Sequence, residues 1–366
     1  MANGKSEPLR APSVKAITTT TVFNFTQLAL PLIQAPMAGG ITTPQLVAAV
    51  ANHGGVGSFG FAYSTPEKIH ADLLMAQSVT SGPINANFFV FSPVCLPSDQ
   101  IQKNAMQALR SLDVDGVQSL TMPAEPFYPN LMEQLEPIWN ARPAILSFHF
   151  GLPPDGVIAK AHELGIAVGI SATSLAEALV IESAHADFIV AQGIEAGGHR
   201  GQFDIQVKDE ALTTLALTTQ LAKHCHIPIV AAGGIMNGAD IHAALANGAQ
   251  AAQMGTAFLC CDESGTPPSY RHYLLHKQDR STTLTKAFSG RLARGLENTF
   301  TRTMQTQTTL PFPIQNTLTG PLRQWASAQH NAEYQSLWAG TAYAQIRSMT
   351  TQDLMQQLRN EIEAQR

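Results

Sequence analysis

A glycine-rich run that carries a single imidazole is the segment of the sequence best suited to chemistry. It reads Gln192-Gly193-Ile194-Glu195-Ala196-Gly197-Gly198-His199-Arg200-Gly201. Glycines let the backbone approach a flat ligand closely, and a histidine beside such a ligand can act as a base or donate a hydrogen bond. A loop histidine is ordinarily only solvated, but the flanking glycines favour His199 as a candidate catalytic residue.

A second histidine, His149, lies among aromatic residues in Ser147-Phe148-His149-Phe150-Gly151. Burial among aromatic rings favours the neutral imidazole, which suits a substrate contact better than a permanent cation. His149 is therefore a second candidate catalytic residue. A core histidine whose hydrogen bonds are satisfied is the alternative, and the sequence leaves both open.

Two further glycine-containing stretches predict a phosphate site. They are Ala231-Ala232-Gly233-Gly234-Ile235 and Gln253-Met254-Gly255-Thr256. Backbone N–H groups in such turns can surround a phosphate without a cationic side chain, and we expect help from a helix N-terminus near Asn237. Tight turns alone would also need these glycines, but phosphate sites recur at the corresponding turns of α/β barrels.

Other chemistries find little support in the sequence. His224-Cys225-His226 resembles a metal-binding pair but falls at a helix-to-strand turn, at the opposite end of a barrel from its active site, so we predict no metal site. No spacing brings two carboxylates together for hydrolysis, and no G-x-S-x-G motif is present. A net charge of −5 without a basic stripe argues against a nucleic-acid partner.

Eight short apolar runs, separated by amphipathic stretches, must position these residues. Their continuous hydrophobicity predicts parallel strands buried on both faces. Eight βα units predict an α/β fold, a (β/α)8 TIM barrel with the active site at the carboxyl ends of the strands, and a doubly wound open sheet is the alternative. The runs are Leu32–Met37, Val56–Phe61, Pro83–Val90, Ala144–Phe150, Ala167–Ala172, Phe188–Gln192, Ile227–Ala232 and Ala251–Phe258.

The helices between the runs have recognisable ends. Periodic segments predict helices over Thr43–Asn52, Pro66–Ala76, Leu175–Ser183 and Gly238–Asn247. Ser, Thr or Asn precedes each of them as a candidate N-cap. These caps are Thr42, Thr65, Ser174 and Asn237.

The rhythm of strands and helices also divides the chain. We expect an N-terminal segment over 1–30, the barrel over 31–261 with an insertion at about 91–143, and a C-terminal lid or extension over 262–366. Within the extension, Asp353–Ala364 has a helical pattern and Thr303–Gly320 reads as an irregular loop near the barrel mouth.

Composition sets the remaining expectations. Hydrophobic residues make up 45% of the chain and charged residues 13%, which is typical of a globular protein. Since the net charge argues against nucleic acid, we expect a small-molecule partner. The four cysteines have no C-x-x-C spacing, and we expect them to be reduced. Without a signal-peptide pattern or a run of 18 apolar residues, the sequence predicts a cytoplasmic protein with no membrane partner, as a monomer or a homodimer. Basic residues near the N-terminus leave organellar targeting as an alternative.

Taken in order, these motifs resemble the nitronate monooxygenase family, from about Pro31 into the C-terminal part of the chain. The matching stretches are Pro36-Met37-Ala38-Gly39-Gly40, Gly54-Gly55-Val56-Gly57, Asn85-Ala86-Asn87-Phe88, Phe148-His149-Phe150-Gly151-Leu152-Pro153, Gln192 to Gly201, Ala232 to Thr256, Phe288-Ser289-Gly290-Arg291-Leu292-Ala293-Arg294-Gly295 and Pro313-Ile314-Gln315-Asn316.

The resemblance implies a TIM barrel that binds FMN and uses O2 to oxidise an alkyl nitronate, such as propionate 3-nitronate, to a carbonyl compound and nitrite. His199 matches the active-site histidine of the family, expected to orient and neutralise the nitronate or to remove the α-proton of a neutral nitroalkane. His149 matches a second pocket histidine. Trp338-Ala339-Gly340-Thr341 resembles a flavin-contacting segment of the family, in which Thr341 stands where we expect Gln. The implied FMN contacts are Met37, Ala38, Asn87, Gln192, Gly197, Gly198, Gly233, Gly234, Gln253, Met254, Gly255 and Thr256.

Two other functions stay open at this point. FMN-dependent, NAD(P)H-using enoyl-(acyl-carrier-protein) reductases also resemble the Glu195–Gly201 loop and the Gly233–Thr256 stretch. A barrel that holds FMN or another phosphate compound without turnover is the second alternative. The Phe148–Pro153 and Phe288–Gly295 segments favour the nitronate oxidation.

Overall fold

The computed structural model describes residues 23–276 and 279–365 of the chain. Most of the predicted segment 1–30, including its basic residues, lies outside this range. The strands are β1 Leu32–Gln34, β2 Gly57–Gly60, β3 Ile84–Phe89, β4 Ile145–His149, β5 Ala167–Ala172, β6 Phe188–Gln192, β7 Gly198–His199, β8 Ile229–Ala232, β9 Ala251–Met254, β10 Thr282–Thr285 and β11 Ala293–Leu296. The α-helices are α1 Pro44–Asn52, α2 Pro66–Gln77, α3 Asp99–Arg110, α4 Leu131–Ala141, α5 Val157–Glu163, α6 Leu175–Ser183, α7 Thr214–His224, α8 Gly238–Ala246, α9 Pro268–His276, α10 Thr299–Thr303, α11 Ile314–Leu318, α12 Gly320–Ala328 and α13 Thr351–Glu363.

Eight parallel strands form a barrel in the order β1-β9-β8-β6-β5-β4-β3-β2. The two ends of this order meet because the Gln34 amide donates to the Val56 carbonyl at 2.9 Å and the Val56 amide donates to the Leu32 carbonyl at 2.9 Å. All eight strands lie within the predicted apolar runs, and the predicted (β/α)8 fold is confirmed. The doubly wound alternative is wrong, since an open sheet has two unpaired edges.

Local sequence signals start and end the barrel helices. Thr65, Ser174 and Asn237 cap α2, α6 and α8 through their side chains, as predicted. The prediction of Thr42 as the cap of α1 is wrong by one residue, because the Thr43 side chain accepts from Leu46 N. Thr42 instead accepts from Gly60 N at 3.2 Å and donates to Met37 O at 3.1 Å, which ties the β1 and β2 rims together.

A second sheet joins the C-terminal segment to the candidate active-site loop. Strands β10, β11 and β7 pair antiparallel, with Ala293 opposite His199 and Arg294 opposite Gly198. The sequence pattern indicated only a loop over residues 193–201 and gave no sign of this pairing. Because the sheet fixes the His199 backbone, the glycines beside it do not leave it mobile.

The two segments that break the barrel rhythm pack together over its mouth. Side chains from α3 and from the C-terminal segment share one core, which includes Leu109, Val117, Phe288, Phe300 and Leu322. After α3, α4 returns to the barrel wall, where the Gln134 side chain donates to Phe61 O and Ser64 O. The division into three domains stays a prediction.

Two predictions on the C-terminal segment had different outcomes. The helix predicted over Asp353–Ala364 is confirmed as α13, whose Leu354 and Leu358 are fully buried. The irregular loop predicted over Thr303–Gly320 is wrong in part, because it includes α11. The Gln315 side chain fixes that turn by accepting from Leu310 N and donating to Ala287 O, contacts that sequence periodicity does not reveal.

All four cysteines are free thiols, in agreement with the expected reduced state. Across residues 23–276 and 279–365, no helix combines the length and the hydrophobicity that crossing a bilayer requires.

The barrel and the two segments over its mouth together enclose the space in which the candidate residues meet.

Candidate active site

A cavity of about 480 Å³ lies at the carboxyl ends of the barrel strands. Its volume is within the roughly 300–1,000 Å³ typical of ligand and cofactor pockets. Nearly all the candidate residues named from the sequence line it. They are Met37, Ala38, Asn87, His149, Gln192, Gly197, Gly198, His199, Gly233, Gly234, Gln253, Gly255 and Thr256.

Met254 is the candidate that the structure does not bring to the cavity wall. Its side chain is 1% exposed and packs in the hydrophobic core between the barrel and its helices. Successive side chains of a strand point to opposite faces, so the strand that turns Gln253 inward turns Met254 outward. Only the Met254 carbonyl is engaged near the rim, where it accepts from Ala35 N at 2.8 Å.

The glycine turns after β8 and β9 form a cradle of main-chain amides. Gly233 and Gly234 have φ values of +124° and +68°, a region that favours glycine. Among the described residues, the structure gives no hydrogen-bond acceptor to the amides of Gly234, Gly255 and Thr256. Amides in a cavity wall that have no partner within the described chain are available to bind an anion such as a phosphate.

The N-terminus of α8, expected to help hold the phosphate, is largely occupied by side chains of the protein itself. Gly238 N donates to the Glu361 carboxylate at 2.7 Å, and Asp240 N donates to the Asn237 side chain at 2.9 Å. Met236 N, one residue before the cap, donates to the Asp240 carboxylate at 2.9 Å. These side chains occupy the first turn of α8, so a phosphate would rely on the glycine amides instead.

The three amide side chains in the cavity wall are not equally available to a ligand. The Gln192 side chain already has partners within the protein, since its Nε2 donates to His199 O at 2.9 Å and its Oε1 accepts from Gly201 N at 2.7 Å. Asn87 uses its amide group to donate to Ser147 Oγ at 2.9 Å, which leaves its oxygen free. Gln253 has no partner among the described residues. Gln253 and Asn87 are thus the amides that can bind a flat polar ring.

His199 stands in a mostly aromatic part of the cavity. Its ring centroid lies 6.0 Å from that of Phe89, 5.3 Å from that of Phe312 and 5.6 Å from that of Trp338. Its Nε2 is 2.9 Å from Ser289 Oγ. Burial, the neighbouring His149 and the charges of nearby arginines lower the pKa of His199 to about 3. His199 is therefore neutral at neutral pH.

His149 supports the His199 backbone. Its Nε2 lies 3.1 Å from the His199 carbonyl oxygen, and because a carbonyl only accepts, that nitrogen must carry the proton. Burial lowers the pKa of His149 to about 4, against the opposing effect of this hydrogen bond. His149 is thus a neutral residue on the cavity wall, as its aromatic surroundings predicted.

Arg200 holds the β6–β7 loop in place from behind. Its side chain is 1% exposed and binds both carboxylate oxygens of Asp209, at 2.8 and 2.9 Å. It also donates to the carbonyls of Gln192 and Gly193, at 2.8 and 3.0 Å. A paired guanidinium that also satisfies two loop carbonyls stabilises the conformation in which His199 faces the cavity.

Several cavity residues had no role predicted from the sequence, and Arg323 is the most informative of them. Its Nη2 donates to the Asn316 side-chain oxygen at 3.1 Å, whereas its buried Nε has no partner. No carboxylate in the described part of the chain forms an ion pair with it. A cation held in a cavity wall without a counter-ion suits an anionic ligand. Arg323 lies in α12, and the sequence pattern assigned it no role.

Thr341, where the family resemblance suggested Gln, does not line the cavity. Its side chain is exposed, and its amide donates to Glu195 O at 3.0 Å. The neighbouring Gly340 does line the cavity, and its amide donates to Thr256 Oγ1 at 3.0 Å. The segment therefore approaches the cradle through its backbone.

The family model described as nitronate monooxygenase matches residues 22–361. The nitronate monooxygenase of Paraburkholderia phytofirmans is 42% identical over 343 residues, covering 91% of this chain and 92% of its own length. A crystal structure of nitroalkane oxidase from Streptomyces ansochromogenes has a TM-score of 0.88 and 34% identity, covering 93% of this chain and 97% of its own. The predicted family is confirmed.

A likeness at much lower identity extends to the enoyl reductase alternative. The enoyl reductase domain of MlnA from Bacillus amyloliquefaciens is 11% identical with a TM-score of 0.62, covering 92% of this chain and 95% of its own. At that identity the likeness concerns the fold alone. The family model over residues 22–361 and the relative at 42% identity show that the chain belongs to the nitronate monooxygenase family of flavin-dependent oxidoreductases.

Proposed function

We propose that this protein is an FMN-dependent monooxygenase that oxidises alkyl nitronates, such as propionate 3-nitronate, with O2 to a carbonyl compound and nitrite. The observation that carries the proposal is a single cavity with unpaired glycine amides in one part of its wall and His199 and Arg323 in another. The first part suits a phosphate and the second a small anion. Membership of the family supports this assignment.

The wall residues fit FMN in particular. The amides of Gly234, Gly255 and Thr256 would hold the phosphate, and Gln253, Asn87 and the backbone at Met37 and Ala38 would contact the ring system. Bound FMN would supply the redox chemistry between the nitronate and O2. The residues of the chain would position the flavin and the substrate and supply the electrostatic field around them.

Charge and hydrophobic enclosure would act together on the substrate. A nitronate is an anion, and the Arg323 guanidinium lines the wall without a carboxylate partner among the residues that the structure describes. Phe89, Phe150 and Phe312 enclose His199 with apolar surface, which excludes water and strengthens the attraction between these charges. Arg323 rather than the neutral His199 would therefore neutralise the substrate.

His199 would then have one of two roles. Toward a ready-made nitronate it orients the substrate, and no proton has to be removed. Toward a neutral nitroalkane it must take the α-proton, for which an unprotonated imidazole at neutral pH is the required state. The lowered pKa supplies this state, although it also makes His199 a weaker base.

Anaerobic mixing of the FMN-loaded protein with substrate tests the proposal. Propionate 3-nitronate should bleach the flavin absorbance, and admitting O2 should restore it and release nitrite. NADH alone should leave the spectrum unchanged. Bleaching by NADH without any effect of the nitronate would refute the proposal in favour of the enoyl reductase alternative. Binding of FMN without bleaching by either would favour a carrier. The cytoplasmic location and the monomer or homodimer state stay predictions.

A further inference from the structure

Ser289 is a buried residue that contacts His199 and that neither flavin nor substrate binding explains. It lies in the turn before β11 and is 0% exposed. Its Oγ is 2.9 Å from His199 Nε2, 3.0 Å from the Arg291 carbonyl oxygen and 3.3 Å from the Arg291 amide nitrogen. Three polar atoms thus share a hydroxyl that has one proton and two lone pairs.

Counting protons among these contacts assigns the tautomer of His199. The Arg291 amide can only donate, so it takes one lone pair of Oγ. The Arg291 carbonyl can only accept, so it takes the hydroxyl proton. The lone pair that remains faces His199 Nε2, which must therefore donate. If the hydroxyl donated to Nε2 instead, the buried Arg291 carbonyl would lose its donor, and leaving such a group unpaired is penalised.

The backbone on both sides of this contact is fixed. The Phe288 carbonyl accepts from Thr319 Oγ1 at 2.6 Å, and Gly290 has a φ of +83° with the Leu310 carbonyl pressed against the place where a Cβ would lie. On the other side, Gln192 and His149 both donate to the His199 carbonyl. Neither partner can therefore move away to relieve the constraint.

We propose that Ser289 is a positioning residue that holds His199 as the Nε2–H tautomer and so keeps the Nδ1 lone pair available as a proton acceptor. This inference rests on the proposed function. With a neutral nitroalkane, the α C–H bond breaks and its electron pair moves into the nitro group, which gives the nitronate. The proton forms a bond to Nδ1, and the resulting imidazolium keeps its Nε2–H bond to Ser289. With a ready-made nitronate this step is absent.

Comparing two substrates in Ser289→Ala tests the proposal. Losing one hydrogen bond that selects the tautomer should lower kcat/KM for nitroethane roughly 10-fold more than kcat/KM for ethyl nitronate. Ser289→Thr, which keeps the hydroxyl, should restore the ratio. Ser264→Ala removes another buried hydroxyl, bonded to Thr266 Oγ1 at 2.8 Å, and should leave the ratio unchanged. Equal losses for both substrates would show that Ser289 only shapes the turn, and would overturn the proposal.

The tautomer itself can be read without turnover. In the 15N-histidine-labelled, FMN-loaded protein, the His199 signals, assigned by their loss in His199→Asn, should show a protonated Nε2 and an unprotonated Nδ1. Ser289→Ala should mix the two tautomers. A protonated Nδ1 in the unchanged protein would overturn the proposal. A wild-type protein that oxidises neither substrate would refute the proposed function alone, since the 15N spectrum still decides the tautomer.

Discussion

Replacing Gly234 by aspartate tests the amide cradle at a position where the structure allows the cost to be worked out. At φ +68°, any side chain there is strained by roughly 1 kcal/mol. Its Cβ would lie 3.1 Å from Glu195 Cβ, so that neighbour must give way slightly. The new carboxylate would stand beside the phosphate. At about 5 Å and an effective dielectric constant of about 20, each unit of phosphate charge is repelled by about 3 kcal/mol.

The expected result is a loss of FMN affinity of at least about 100-fold, because about 1.4 kcal/mol corresponds to tenfold in Kd. The assay is the quenching of flavin fluorescence when flavin-free protein is titrated with FMN, with circular dichroism to confirm that the barrel is folded. Gly234→Ala adds the strain without the charge and should weaken binding much less.

Gly156→Asp is the matched control at a distance from the cavity. Gly156 is exposed, has a φ of +82°, and has no atom within 4 Å of the place that a Cβ would take. The same substitution there should leave FMN affinity unchanged. A folded Gly234→Asp variant that binds FMN within about threefold of the unchanged protein would refute the phosphate assignment.

Three further predictions concern the other part of the cavity. His199→Asn should remove nitroalkane turnover and impair nitronate turnover while the flavin content stays normal; full turnover with nitronate in an oxygen-uptake assay would remove the role assigned to His199. Arg323→Met should raise KM for a nitronate roughly 10- to 100-fold, which is the effect of losing one charged hydrogen bond. Arg323→Lys should keep most of the affinity. Equal KM values for the Met and Lys variants would contradict the role of Arg323 in binding the anion. Folding lowers the pKa values of His149 and His199 to about 4 and about 3. As the pH falls, the unfolded chain therefore binds these two protons before the folded protein does. The contribution of the two histidines to the free energy of unfolding is thus complete above pH 6.5 and is lost as the pH falls toward 4. Urea unfolding at pH 6.5 and 5 should show a loss of about 2 kcal/mol for each histidine, and His149→Asn should flatten that dependence.

Short-range signals made the barrel and its rim predictable. Eight apolar runs bounded by glycine and by capping residues determine where strands and helices alternate, and β5, β6 and α6 coincide with their predicted ranges. Since all the strands of such a barrel end at the same side, the residues that follow them had to meet. That is why thirteen of the fourteen candidate residues line one cavity.

Contacts between residues distant in the sequence were not predictable in the same way. Glu361 occupies the N-terminus of α8, more than a hundred positions away, and the β7–β11 pairing brings the Ser289 turn to His199. A buried hydroxyl or guanidinium shows its partners only after the chain folds, so the sequence assigned no role to Ser289 or Arg323, although Ser289 lies in a stretch that matches the family. Met254 was wrongly predicted to line the cavity for a local reason. The motif gives its position in the sequence, but the alternation of side chains along a strand decides which way its side chain points.

Titration of flavin-free protein with FMN and, separately, with riboflavin tests the central claim most directly, because riboflavin has the same ring and lacks only the phosphate. If the glycine amides after β8 and β9 hold that phosphate, FMN should bind one per chain and riboflavin at least about 100-fold more weakly, and the FMN-bound form should show shifted His199 15N signals. Equal affinity for both compounds, or a protein that stays colourless in excess FMN, would contradict the account.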